Sequence, residues 1–176
     1  MIFVDFLGYN SHMKKPHSDA LQTIIGFLRQ RQQTITFAES CTGGQIAAEF
    51  TAIPGVSAVF DGAVVSYANH IKEQWLGVRA ETLARYGAVS AECVTEMLSG
   101  VLKLAGADCA IAVSGIAGPD GGTPDKPVGT VYIGIKTPQD EVVYHNLFKG
   151  ERDEIQRQSV TFAIQEMAKI LKKQKN

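Results

Sequence analysis

The sequence predicts an α/β protein, built as a single three-layer α/β/α domain with a mixed sheet. Apolar residues at spacings of three and four, typical of helices that bury one face, alternate along the chain with short apolar runs typical of strands. The chain has 176 residues and 45% apolar content, enough for one substantial core. No repeat, linker or low-complexity tract divides it, so we expect one domain.

The N-terminal segment looks foreign to this pattern. The Ser-His-Met run at 11–13 resembles a cloning junction, and Met13 would make an ordinary start. We therefore interpret residues 1–12 as a non-native or disordered extension and residues 13–176 as the domain. If residues 1–12 are native, we expect them to add an edge strand.

The first half of the domain alternates helices with strands. Four apolar residues at helical spacing follow the N-cap candidate Ser18 and predict the first helix; they are Leu21, Ile24, Ile25 and Leu28. The next elements predicted are a strand Thr34–Ala38, a helix from Thr42, a strand near Gly62–Tyr67 and a helix Asn69–Leu76.

The second half begins with a helix that Ser90 caps and Gly106 ends. The continuous apolar run Ala107–Val113 is typical of a strand covered on both faces. A Thr-Pro-Gln-Asp turn between two further strands predicts an antiparallel hairpin, with strands Thr130–Ile135 and Val142–Phe148. The last helix buries one apolar face, formed by Val160, Ile164, Met167 and Leu171.

Three polar loops each follow a predicted strand. Ser40 comes after the first strand, Tyr67 after the second, and Ser114-Gly115 after the third. In open α/β sheets, ligands bind beyond the carboxyl ends of parallel strands. If these strands run parallel, the three loops converge on one site.

The first loop, Ala38–Gly44, carries the groups that catalysis needs. A hydroxyl at a strand-to-helix turn, here Ser40, is exposed at the end of a sheet, and the amides of the following helix can hold a phosphate or an oxyanion. We assign these amides to Thr42, Gly43 and Gly44, where the glycines let a ligand approach the backbone. The alternative is that Ser40 only caps the helix. Glu39 is assigned to substrate binding; the alternatives are that it orients the lysine or that its carboxylate is simply solvated.

The second and third loops add a cation and backbone donors. Lys72 lies about a turn and a half into the predicted helix, from which its side chain can reach back; as the alternative, it is a surface lysine. The third loop is rich in backbone donors that can cradle a polar ligand. We assign to substrate binding Ser114, Gly115, Ile116, Ala117 and Gly118, together with the cationic Arg152.

Composition argues against several other functions. A net charge of −1 and a pI of about 6.4 give no basic field for nucleic acid, and no apolar run approaches the length of a membrane span. The three cysteines are widely spaced and fit a reducing cytoplasm, while the histidines lack metal-ligand spacing. Cys41, beside Ser40, is either a nucleophile or a buried structural residue, and no histidine has a motif relation to it. We therefore expect a cytoplasmic protein that uses no metal and no cofactor.

Four runs resemble the C-terminal domain of CinA and its stand-alone relatives, the nicotinamide-nucleotide amidases. They are AESCTGG (38–44), VVSYANHIKEQWLGV (64–78), GAVS (87–90) and VSGIAGPDGGTPDKPVGTVYIG (113–134). The resemblance implies an α/β/α fold, often dimeric, that hydrolyses nicotinamide mononucleotide to nicotinate mononucleotide and ammonia without a metal. Many relatives have a second arginine where Gln156 stands.

The same resemblance implies that Ser40 is the nucleophile and that Tyr67 and Lys72 assist it. A serine hydroxyl needs an adjacent base, and a lysine can act as one only if its pKa falls well below about 10.4. Desolvation or the positive charge of a pyridinium nucleotide would lower it. The alternative function is a catalytically silent nucleotide-binding or interaction module of the same fold.

Overall fold

The computed structural model describes residues 15–174 of the chain. Its helices are α1 (Ser18–Arg31), α2 (Gln45–Thr51), α3 (Asn69–Leu76), α4 (Ala80–Tyr86), α5 (Ala91–Ala105) and α6 (Arg152–Lys173), with a 3₁₀ turn at Val56–Ala58. Its strands are β1 (Ile35–Glu39), β2 (Phe60–Val65), β3 (Cys109–Gly115), β4 (Thr130–Lys136) and β5 (Glu141–Leu147). The segment 1–12, predicted to be foreign to the fold, lies outside the described residues.

The five strands form one mixed sheet in the order β2-β1-β3-β4-β5. Strands β2, β1 and β3 run parallel, whereas β4 and β5 form the predicted antiparallel hairpin. At the end of β1, Glu39 pairs with Val65 of β2 and with Val113 of β3. The three parallel strands therefore end side by side, and the loops that follow them converge as the sequence predicts.

Helices cover both faces of the sheet. Side chains alternate along β1, so Ile35 and Phe37 enter a core with α1, α2 and α6, while Ala38 enters a second core with α3 and α5. These two cores confirm the three-layer α/β/α prediction. No helix within residues 15–174 has the length and apolarity to cross a membrane.

Two helix starts differ from the prediction. Helix α2 begins at Gln45 rather than Thr42, because Gly43 and Gly44 adopt left-handed φ values of +61° and +96° and extend the turn first. Helix α1 takes His17 as its N-cap, and the Ser18 hydroxyl instead donates to the Lys15 carbonyl. Helix α4 was not predicted, since its seven residues carry too little apolar periodicity.

The other helix boundary signals agree with the structure, whereas the observed strands are displaced by one or two residues from the predicted ones, as in β2 (Phe60–Val65) against the predicted Gly62–Tyr67. The Ser90 hydroxyl caps α5 by accepting from the Cys93 amide at 3.2 Å, and Gly106 ends that helix in the left-handed conformation. Helix α3 has the predicted bounds, and the apolar face of α6 is buried. Local chemistry thus determines most of the element ends.

Helix α3, which carries Lys72, packs closely against α5 at Gly100. A Cβ atom at Gly100 would collide with the backbone carbonyl of Leu76. Only glycine fits this contact without a backbone shift.

Replacing Gly100 by alanine should therefore destabilise the protein, although the same change in an exposed helix normally stabilises it. We expect Gly100→Ala to lower the free energy of unfolding by about 1–3 kcal/mol through overpacking. The matched control is Gly26→Ala in α1, where a Cβ meets nothing within 4 Å. That change should raise stability by up to about 1 kcal/mol. Urea denaturation measures both, and a stabilising Gly100→Ala would contradict the contact.

Candidate active site

A cavity of about 170 Å³ opens beyond the carboxyl ends of the parallel strands. Its wall contains residues from all three predicted loops and from the start of α6. The predicted site residues that line it are Ser40, Tyr67, Lys72, Ser114, Gly115, Ala117 and Arg152. The fold therefore brings these residues together although they are far apart in the chain.

Lys72 is the central side chain of this cavity. It projects from α3, is only 1% exposed, and places Nζ 3.0 Å from the Ser40 Oγ. The same nitrogen donates to the Ser66 carbonyl at 2.6 Å and lies 3.3 Å from the Tyr67 carbonyl. The Lys72 side chain thus reaches back from its helix to the ends of the parallel strands, as predicted.

The surroundings of Lys72 shift its protonation equilibrium toward the neutral form. Its three partners are a hydroxyl and two carbonyls, all uncharged, and burial lowers the pKa of the amino group from its ordinary value. A neutral amine has two N–H donors and one lone pair. In the ammonium form, Nζ donates to the Ser40 Oγ as well as to the two carbonyls. In the neutral form, the carbonyls can only accept and take the two N–H groups, which leaves the lone pair for the Ser40 hydroxyl. A neutral amine in this position can act as a general base toward the Ser40 hydroxyl.

Ser40 is fixed at the end of β1, where its amide donates to the Val113 carbonyl at 3.0 Å. Its neighbour Cys41 is 5% exposed, and burial raises the pKa of the thiol to about 12. A thiol with that pKa holds little thiolate at neutral pH. Of the two adjacent candidates, the geometry favours the serine as nucleophile.

Glu39 and Thr42 do not line the cavity. Both side chains are fully buried, and neither can touch a molecule in the cavity in this arrangement. The Glu39 carboxylate accepts instead from the amides of Gly44, Ile46 and Ala47. Of the amides assigned to the substrate, that of Gly44 therefore donates to Glu39, and that of Gly43 donates to the Ser40 carbonyl at 3.1 Å. Thr42, Gly43 and Gly44 do not line the cavity.

Arg152 joins two of the loops. Its guanidinium donates to the Gly118 carbonyl at 2.6 Å and to the Tyr67 hydroxyl at 3.1 Å. Both acceptors are neutral, so these contacts leave the positive charge of Arg152 uncompensated. The Tyr67 side chain is 62% exposed, and it stands at the rim of the cavity with the arginine.

The third loop is held by its own backbone and by one hydroxyl. The Ile116 amide donates to the Thr130 carbonyl at 2.9 Å, and the Ser114 hydroxyl donates to the Ala88 carbonyl at 2.7 Å. The second bond draws residues 87–90 against the cavity. Of this loop, Ile116 and Gly118 do not belong to the cavity wall.

Within residues 15–174, no group of three or more His, Cys, Asp and Glu side chains could hold a metal ion. The cations of the cavity are Lys72 and Arg152.

The profile of the CinA C-terminal domain family matches residues 17–171. The chain belongs to the CinA C-terminal domain family. This confirms the resemblance drawn from the four sequence runs. As a CinA C-terminal domain, the chain is 50% identical over 139 residues to the nicotinamide-nucleotide amidohydrolase PncC of Escherichia coli, with 78% of this chain and 84% of that protein covered.

A CinA-like protein of Thermotoga maritima is 46% identical over 151 residues, which cover 86% of this chain. The chain spans only 37% of the length of that protein. A CinA superfamily structure from Klebsiella pneumoniae has a TM-score of 0.85 at 39% identity, covering 91% of this chain and 99% of that one. A competence/damage-inducible protein structure from Agrobacterium tumefaciens has a TM-score of 0.86 at 37% identity, covering 92% and 99%.

Sequence reasoning missed several residues of this CinA C-terminal domain site. Asn69, Ala88 and Val89 line the cavity, and Gln156 donates from its Nε2 to the Cys41 carbonyl at 2.7 Å. The first three lie within the runs that resemble the family, and membership of those runs could have identified them as candidates for the site. Gln156 lies one helical turn after Arg152, so helical spacing alone would have placed the two on one face.

The lowered pKa of Lys72 gives stability a defined dependence on pH. Between the folded pKa and the unfolded value of about 10.4, the unfolded chain binds more protons, so the contribution of Lys72 to stability rises with pH. We expect wild type to gain free energy of unfolding relative to Lys72→Met as the pH rises toward the unfolded pKa of about 10.4. Urea denaturation at each pH measures the difference.

The exposed Lys103→Met is the control for replacing a lysine by methionine. The lowered pKa would be contradicted if the free energy of unfolding of wild type, relative to that of Lys72→Met, stayed constant or fell as the pH rises.

Proposed function

We propose that this chain is an amidase that hydrolyses nicotinamide mononucleotide to nicotinate mononucleotide and ammonia, with Ser40 as nucleophile and Lys72 as base. The observation that carries the proposal is the buried Lys72 Nζ, 3.0 Å from the Ser40 Oγ in the wall of a cavity. The choice of substrate is supported by 50% identity to the nicotinamide-nucleotide amidohydrolase of Escherichia coli.

The first half of the reaction forms an acyl-enzyme. Neutral Lys72 takes the proton of the Ser40 hydroxyl while Oγ attacks the carboxamide carbon, giving a tetrahedral intermediate. The intermediate collapses when its C–N bond breaks. The Lys72 ammonium returns the proton to the leaving nitrogen, so ammonia departs and a nicotinate ester remains on Ser40.

The second half of the reaction hydrolyses the acyl-enzyme, with water in place of Ser40 as the nucleophile. Lys72 is neutral again after ammonia leaves, and it takes a proton from a water molecule that attacks the ester carbonyl. The C–Oγ bond then breaks and the serine regains its proton from Lys72. The carboxylic acid product loses its remaining proton to solvent and leaves as the carboxylate, and both side chains return to their starting states.

The size and charge of the site suit one end of a nucleotide. Ligand cavities for whole small molecules usually measure about 300–1,000 Å³. The smaller cavity here would hold the carboxamide and part of its ring, with the remainder at the rim. There, the uncompensated charge of Arg152 can bind the phosphate, and the exposed Tyr67 ring can lie against the cationic pyridinium. The pyridinium charge would lower the pKa of Lys72 further.

The second candidate is a silent nucleotide-binding module with the same cavity. A family fixes the fold more firmly than the activity, and the chain spans only part of the Thermotoga relative. The amidase is favoured because a binding module has no need to bury an amino group against a serine.

We also propose that the protein acts as a cytoplasmic homodimer. Large apolar side chains are exposed on the described surface, among them Trp75 at 54% and Leu104 at 60%, and association would cover such area. The three cysteines are free and buried, which suits a reducing compartment.

Replacing the nucleophile separates the two functions. We expect Ser40→Ala to lower ammonia release from nicotinamide mononucleotide by about three orders of magnitude or more, because the covalent step is lost. The dissociation constant of Ser40→Ala for nicotinamide mononucleotide should stay close to that of wild type, since the Ser40 Oγ makes few contacts with the bound substrate before reaction. Ammonia assay and calorimetry measure the two quantities.

The matched control is Cys41→Ala, which should keep most of the activity because the buried thiol takes no part. Near-normal ammonia release from Ser40→Ala would refute the serine mechanism. Tight binding by a wild-type protein that releases no ammonia would establish the silent module instead.

A further inference from the structure

Glu39 directly precedes Ser40, the proposed nucleophile. Its carboxylate nevertheless lies on the face of the sheet opposite to the one that carries Lys72. Side chains alternate along β1, and Phe37, two residues earlier, belongs to the core beneath α1, α2 and α6. Glu39 therefore points toward α2 and is completely buried. Ser40, one residue later, meets Lys72 of α3 on the opposite face.

The Glu39 carboxylate ends on the first amides of α2. Its oxygens accept from Gly44 at 3.0 Å, Ile46 at 3.1 Å and Ala47 at 2.9 Å. Helix α2 has only seven residues, and Gly44 at its N-cap has no side chain with which to cap it. Short helices are marginal without such support, and an anion is favourable at a helix N-terminus. Glu39 thus supplies the missing cap from the preceding strand.

This cap closes the turn that carries the nucleophile. The turn comprises residues 40–44, and Glu39 joins both of its ends, with its backbone in β1 and its side chain on α2. Gln156 holds the middle of the turn through the Cys41 carbonyl. Ser40 is also held directly, because its amide donates to the Val113 carbonyl and its carbonyl accepts from the Gly43 amide. The attachments through Glu39 and Gln156 restrain the rest of the turn, where the left-handed Gly43 and Gly44 allow the backbone more freedom.

We propose that Glu39 is a positioning residue, whose buried carboxylate fixes the turn 40–44 and thereby the distance between the Ser40 Oγ and the Lys72 Nζ. This inference rests on the proposed function, in which that pair attacks the amide. Glu39 itself exchanges no proton and touches no substrate. Misplacing a reacting atom by about 1 Å can cost on the order of 10²-fold in rate.

The test is Glu39→Gln. A glutamine has one acceptor oxygen, and its NH₂ group faces backbone donors, so the three hydrogen bonds cannot all form. We expect kcat to fall by about 10- to 100-fold with little change in KM. Labelling of Ser40 by a fluorophosphonate probe should slow by a similar factor, because it requires an activated serine and not the nucleotide.

The matched control is Glu96→Gln. The Glu96 carboxylate likewise accepts three hydrogen bonds at a helix start, from the Arg79 amide, the Arg79 Nε and the Thr82 hydroxyl. This change should lower thermal stability while kcat and the labelling rate stay near wild type. If Glu39→Gln does not fold, Glu39→Asp retains the charge but withdraws it by one methylene, and should show the same kcat and labelling losses to a smaller degree.

Wild-type kcat and labelling in a folded Glu39 variant would overturn the inference, as would equal losses in Glu96→Gln. A wild-type protein that is labelled at Ser40 but does not hydrolyse the nucleotide would overturn the substrate alone, and the labelling rates would still test Glu39. A wild-type protein with neither labelling nor turnover would overturn the proposed function and this inference together.

Discussion

The buried amino group of Lys72 is the constraint on which the rest of the site depends. Taking an ammonium out of water is costly, and its three partners here are all neutral. The fold must therefore hold α3 firmly to keep the group buried, and the close contact between Gly100 and the Leu76 carbonyl does so. The same burial that opposes stability lowers the pKa of Lys72, which is what a general base requires.

The sheet topology and the last helix bring the other residues of the cavity together. Parallel strands bring the three loops to one edge, and the start of α6 then ties them together. Arg152 binds the Gly118 carbonyl and the Tyr67 hydroxyl, while Gln156, one turn later, binds the Cys41 carbonyl. Each loop is thus attached to a single rigid helix. Preorganisation of this kind keeps reacting groups aligned without a cost at the moment of reaction.

Much of this could be predicted from sequence because it follows from local rules. The polar-faced stretch Asn69–Leu76 was predicted as a helix with the observed bounds, Ser90 and Gly106 marked the ends of α5, and parallel strands implied converging loops. The pairing of Ser40 with Lys72 followed from the family resemblance and from the reach of a lysine.

The rest depended on tertiary contacts. Nothing local shows that Gly43 and Gly44 extend the turn before α2, or that Glu39 caps that helix from the strand. The sequence assigned Glu39 to substrate binding, with orientation of the lysine or a solvated carboxylate as the alternatives. Because side chains alternate along β1, Glu39 lies on the same face as the buried Phe37. A buried carboxylate there needs hydrogen-bond donors, which the amides of α2 supply.

The central claim is that the buried Lys72 makes Ser40 a nucleophile that becomes acylated. Mixing the protein with one equivalent of nicotinamide mononucleotide, quenching in acid at successive times and measuring the mass of the Ser40 peptide tests it most directly. We predict a nicotinate mononucleotide ester on that peptide, which forms as ammonia is released and decays as free product forms. Complete conversion to product with the Ser40 peptide unmodified at every time would contradict the account.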